Sequence, residues 1–176
     1  ITLIDKLGIK KTLKKIDGMF AFISFDKIKR TINIATDAQG EKRLFIFENE
    51  EYLIVSTTIK PILYFIKKIS IDLNVLKSYF FTRHLLFYKN TIYKDIKMIE
   101  PGSLINIDLK KEKKIKKIHT NPLNFISKKK YLFFKNMNYK KLINYFDDLF
   151  KNQVEQMIPD RKFGCIVTGG LDSGLV

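Results

Sequence analysis

The chain has 176 residues, 45% of them hydrophobic and 13% aromatic, with a formal net charge of +15. That much apolar material excludes wholesale disorder, and the length fits about one domain or two small ones. The single cysteine, Cys165, excludes a disulfide framework and a multi-cysteine zinc site.

No apolar run approaches the ~20 residues of a membrane span, and residues 1–15 lack a secretory layout. A cytoplasmic protein in a reducing setting is the expectation. Lys and Arg total 33 against 18 Asp and Glu, but Arg occurs only four times. The excess is therefore lysine, in a chain equally crowded with Ile, Asn, Phe and Tyr. A biased residue pool spreads lysine over every solvated face without building a nucleic-acid patch, so nucleic acid is not an expected partner. The densest run, Lys110 to Lys117, reads as a solvated linker or strand end.

Taken in chain order, residues 17–56 carry short strand patterns with turn signals at the spacing of an antiparallel sheet. Met19 to Phe25 (MFAFISF) is apolar on both alternating faces apart from Ser24, which predicts a central strand covered on two sides. Asp26 to Arg30 is a charged turn, Thr31 to Thr36 a strand, and Asp37 to Lys42 a loop built on Gly40. Leu44 to Phe47 and Tyr52 to Val55 form a hairpin around the acidic turn Glu48 to Glu51. Asp72 is placed to cap a helix whose Leu73, Leu76, Tyr79 and Phe80 share a face. Pro101-Gly102 predicts a turn and Ser103 to Leu109 a strand.

Residues 110–138 are basic and poorly periodic, and are the expected boundary. The division predicted is 1–120, a linker over 121–138, and a second domain from 139. Tyr139 to Ile158 has apolar residues at spacings of three and four and predicts a helix. Phe163 to Val167 (FGCIV) predicts a short buried strand, with Cys165 a small packed residue. Thr168 to Gly174 (TGGLDSG) is then a glycine turn into a helix. His84 and His119 are isolated and read as surface or helix-end residues.

Strand, glycine turn and helix start make a phosphate-binding arrangement on physical grounds. Gly169 and Gly170 let the backbone approach an anion, and the first helical amides point at it. Thr168 and Ser173 add hydroxyls, and Asp172 is a carboxylate placed to help hold a magnesium ion. The bland alternative is an ordinary β-to-α corner with Asp172 and Ser173 as caps. No Gly-Lys-Ser/Thr follows, so the loop is not a Walker loop.

TGGLDSG resembles the SGGLDSS pyrophosphate loop of synthetases that release pyrophosphate from ATP. Upstream, residues 8–35 (GIKKTLKKIDGMFAFISFDKIKRTINIA) resemble the later half of the class II glutaminase domain of glutamine-dependent asparagine synthetases. Asp37, Gly40, Lys42 and Leu44 match its Arg-Asp-x-x-Gly-x-Lys-Pro-Leu loop. Residues 56–60 stand where that family has Ser-Glu-x-Lys. NTIYKDIKMIEPGSL resembles its closing segment. The motifs keep the family's order across nearly the whole chain.

The resemblance implies an α+β chain. Residues 1–120 would be the later part of an N-terminal-nucleophile αββα sandwich, followed by the first helix, strand and loop of a doubly wound nucleotide-binding domain. In that family an N-terminal cysteine frees ammonia from glutamine. ATP then activates aspartate, or here some other carboxylic acid, as an acyl-adenylate that the ammonia attacks. The implied small-molecule partners are glutamine, ATP with Mg2+, and the acid acceptor, with homodimer assembly a further expectation.

Asp17 falls at the glutamine-binding aspartate, although a turn residue before Gly18 is the simpler reading of the residues alone. Val167, Thr168, Gly169, Gly170, Asp172 and Ser173 fall at the ATP site, with Asp172 toward magnesium. Residue 1 is Ile1, not cysteine, so no catalytic nucleophile is expected within these residues, which should be inactive alone. Thr36, Ala38, Arg43, Thr58 and Gly174 depart from the family pattern. The competing expectation is an ATP-pyrophosphatase that modifies tRNA.

Overall fold

Residues 31–36 and 103–108 are the strands on which the fold is built, because their alternating apolar residues face two different cores. In the computed structural model, which describes residues 2–84, 89–111, 113–118 and 127–175, both strands lie in one antiparallel sheet. Its order is β1 (Ala21–Asp26), β2 (Thr31–Thr36), β6 (Ser103–Asp108) and β7 (Lys113–Ile118). Ile34 stands opposite both Ile23 and Ile105. A second antiparallel sheet has the order β4 (Leu53–Ser56), β3 (Phe45–Glu48), β5 (Ile96–Met98).

The period of two along each strand sorts residues onto opposite faces. On one face of the first sheet, Ile34 and Ile105 cluster with Leu44 and Ile99, and Ile46, Leu53 and Val55 of the second sheet join them. On the opposite face, Ala35 and Leu104 pack with Leu13 of helix α2 (Ile9–Lys15). The second sheet turns Phe47 and Ile96 toward Ile62 of helix α3 (Ile59–Phe65). Pro61 is tolerated in α3 because first-turn amides have no intrahelical acceptor.

Short polar caps and turns close these elements. Asp72 accepts from the amides of Asn74 and Val75 and starts helix α4 (Leu73–Thr82). Asp26 accepts from Ile28 and Lys29 in the β1–β2 turn. Asn49 accepts from Glu51 and Tyr52 in the β3–β4 turn. Helix α1 (Thr2–Leu7) meets α2 at Gly8, whose carbonyl, with that of Leu3, accepts from the Thr12 hydroxyl.

The chain folds as two compact units, Ile1–Phe125 and Ile126–Val176. The second contains α5 (Lys128–Lys135), α6 (Tyr139–Met157) and α7 (Leu171–Leu175). Asn138 caps α6 by accepting from the Lys140 amide, and Lys151 pairs with Asp147 one turn away at 2.7 Å. No residue of these three helices is buried.

Four expectations need correction. Among the described residues β1 is an edge strand, with Ile23 and Phe25 half exposed, because β2 alone pairs with it there. The basic run after Leu109 contains strand β7, in register with β6, and the expected linker contains α5. Residues 163–167 form no strand and are exposed, with Cys165 exposed among them. Among the described residues of that unit no strand is available to pair with them, and a strand without a ladder or a covering layer has nothing to hold it. His119 and residues 121–126 lie outside the described residues.

Candidate functional site

A buried polar centre of the first unit grows from Asp37, just past the end of β2. The residue is only 2% exposed, and its carboxylate accepts from four amides. Oδ1 takes those of Gln39 and Glu41, each at 3.0 Å, and Oδ2 those of Lys42 at 3.0 Å and Phe20 at 3.3 Å. Its own carbonyl accepts from Gly40 and from Gly102 at 2.7 Å. Burial works to raise the Asp37 pKa, but the amides of Lys42, Glu41, Gln39 and Phe20 outweigh it and hold the carboxyl below its usual range. One side chain thus shapes the loop from Gln39 to Lys42.

The loop is locked from the other side by the turn before β6. Gly40 has φ +70, and a Cβ there would come within 2.7 Å of Pro101 Cγ. The Thr36 hydroxyl donates to the Glu100 carbonyl and accepts from the Ser103 amide. Glu100 in turn pairs with Lys89 at 2.7 Å.

This rigid loop walls a cleft of about 830 Å³. The end of α4, with Tyr79 and the following Arg83 and His84, also lines it, as do Tyr93 and Ile99. Arg83 sits at the C-cap of α4 in the left-handed region, φ 56. Lys42 and Arg43 line the cleft from the loop side. The cleft is therefore open and part apolar, carries Lys42, Arg43 and Arg83, and has Glu41 as its one acidic lining residue among the described residues.

In the second unit, the glycine turn folds back on itself. Gly169 has φ +78, and the Ser173 hydroxyl accepts from the Thr168 amide at 3.1 Å and lies 3.0 Å from Thr168 Oγ1. It also reaches the Gly170 carbonyl at 3.3 Å, while the Gly174 amide donates to that same carbonyl. Val167, Thr168, Gly169, Gly170 and Asp172 are exposed. Thr168, Gly169, Gly170 and Ser173 are thus brought together in one bend, with Asp172 on the first turn of α7.

Asp17 lies elsewhere, on the exposed turn between α2 and β1. Its Oδ1 accepts from the Gly18 amide at 2.8 Å, which is what a turn residue before a glycine at φ 104 does. It does not line the cleft. His84 is an exposed residue just past α4, as expected, but it lines the cleft.

Among the described residues no group of three or more His, Cys, Asp or Glu is arranged to hold a metal ion, and no helix is long and apolar enough to cross a membrane. Reading the sequence missed the cleft, because Arg43 and Arg83 are far apart in the chain.

Residues 1–119 match the glutamine amidotransferase domain family. The chain belongs to that family. Asparagine synthetase [glutamine-hydrolyzing] of Mus musculus is 27% identical over 184 aligned residues, and its Rattus norvegicus counterpart equally so. The Homo sapiens protein of the same name is 26% identical. Each match covers 99% of this chain and 29% of the relative, so the chain spans under a third of the length of these relatives. For this glutamine amidotransferase domain, the buried Asp37, the Gly40 contact and the cleft all fall inside the matched residues.

Proposed function

We propose that this chain works within a glutamine-hydrolysing asparagine synthetase or a close amidotransferase relative. Its first unit, with sheets between α2 and α3, belongs to an αββα glutaminase sandwich that supplies ammonia from glutamine. Its second unit opens a nucleotide-binding domain. There ATP activates the carboxylate of aspartate, or of another acid, and ammonia displaces AMP. The supporting observation is that 99% of the chain aligns in order with relatives that bear this name.

Thr168, Gly169, Gly170 and Ser173 would receive the pyrophosphate of ATP, with the backbone of Val167 at the nucleotide's edge. Exposed amides and hydroxyls suit that charge. Asp172 would take magnesium, which binds through one or two carboxylates together with substrate phosphates. Asp17 would answer the α-ammonium of glutamine with the oxygen its turn leaves free.

The test is to express the complete reading frame that carries this chain and supply glutamine, ATP, magnesium and aspartate. Asparagine, AMP and pyrophosphate should form together, with no pyrophosphate when every carboxylic acid acceptor is withheld. Pyrophosphate release that requires tRNA instead would overturn the assignment in favour of a tRNA-modifying enzyme.

A further inference from the structure

All but four of the 33 cationic residues in this chain are lysine, yet two of those four arginines, Arg43 and Arg83, line a single cleft. The two side chains cannot stand in for each other chemically. A guanidinium presents a planar fork of donors that matches the two oxygens of a carboxylate or phosphate, whereas an ammonium is a strongly hydrated point charge. In a chain that writes lysine almost everywhere, two arginines lining one cleft put two such forks on the same site.

Both guanidiniums are available. Among the described residues neither forms an ion pair, and Glu41, the one carboxylate lining the cleft, pairs with neither. Lys42 and His84 add two donors to the same cleft, and Tyr79 and Tyr93 lower the polarity around them. A partly apolar cleft raises the strength of each charge contact relative to open water.

Arg83 holds a left-handed φ of 56, as Arg30 does at 52 outside the cleft, a conformation where glycine or asparagine is usual. The loop from Gln39 to Lys42 is held by the Asp37 hydrogen bonds and the Gly40–Pro101 contact, so Lys42 and Arg43 spring from a preorganised segment. We propose that this cleft binds a small anion presenting a carboxylate or phosphate group, gripped by Arg43 and Arg83.

Isothermal titration of the 176-residue chain with inorganic phosphate and, separately, with succinate at physiological salt tests this. One of the two should bind saturably with an apparent Kd below about 1 mM, and which one does so distinguishes phosphate from carboxylate chemistry. Arg43→Gln and Arg83→Gln should each weaken binding about tenfold or more, while Lys110→Gln, at an exposed residue outside the cleft, leaves it unchanged. Arg43→Lys and Arg83→Lys, which keep the charge and spare the fold, should still weaken it measurably because the fork is lost. Absence of saturable binding overturns the proposal. So do an equal loss on Lys110→Gln, full retention in both lysine variants, and binding confined to a polyanion such as heparin.

Discussion

Gly40 and Pro101 touch so closely that residue 40 has no room for a side chain. A Cβ on residue 40 would lie 2.7 Å from Pro101 Cγ, and Gly40 also holds a φ of +70. The loop and the turn before β6 are therefore fitted to each other across 61 positions of sequence. Gly40→Ala should destabilise the first unit by about 2–4 kcal/mol, combining left-handed strain with overpacking. A shift in the urea midpoint with an unchanged slope checks it.

Asp37 should make stability depend on acid. Its folded-state carboxyl is held below the unfolded value of about 3.9. The stabilisation is therefore complete above that value and is lost as pH falls through the folded pKa, when the proton displaces accepted amides. Asp37→Asn should remove this acid-side dependence and cost about 1.5–3 kcal/mol, since an amide group offers one acceptor oxygen where the carboxylate offered two. Denaturant melts of both proteins between pH 6 and about pH 3 compare the slopes directly.

Arg83 carries a conflict between stability and its proposed role. Arg83→Gly relieves the left-handed backbone at the end of α4, so the variant should gain about 1 kcal/mol. Binding of phosphate or succinate should fall in the same protein. A thermal melt and a titration on one preparation read both.

Ser173 ties the glycine turn together through the Thr168 amide, Thr168 Oγ1 and the Gly170 carbonyl. All of these groups belong to an exposed segment. Ser173→Ala should therefore change the stability of the chain by no more than about 0.5 kcal/mol. In the complete protein it should cut ATP–pyrophosphate exchange about tenfold or more, the worth of one charge-assisted hydrogen bond. Unchanged exchange would remove Ser173 from the nucleotide site.

Local chemistry made much of this legible. Asp72 and Gly40 stand at a cap and a turn because a side chain that accepts from nearby amides, or the lack of a side chain, suits the backbone there. The period of two in Thr31–Thr36 and Ser103–Asp108 was readable for the same reason. Helix α2 was harder to read. Its apolar Ile9, Leu13 and Ile16 are diluted by lysines, and only packing on Ala35 and Leu104 defines the helical face. The pattern at Phe163–Val167 reads as a strand, and without a neighbouring ladder among the described residues it stays exposed coil.

Sequence alone determined the family, the order of turns and strands within residues 19–56 and the strand from Ser103, and the residues of the glycine turn. Each is written in contiguous residues whose conformations depend on their nearest neighbours. Tertiary structure alone decided that β1 is an edge among the described residues, that Asp37 is buried under four amides, and that Arg43 and Arg83 line one cleft. Those facts depend on which distant segments come together, and hydrogen-bond pairing between strands, not local preference, brings them there.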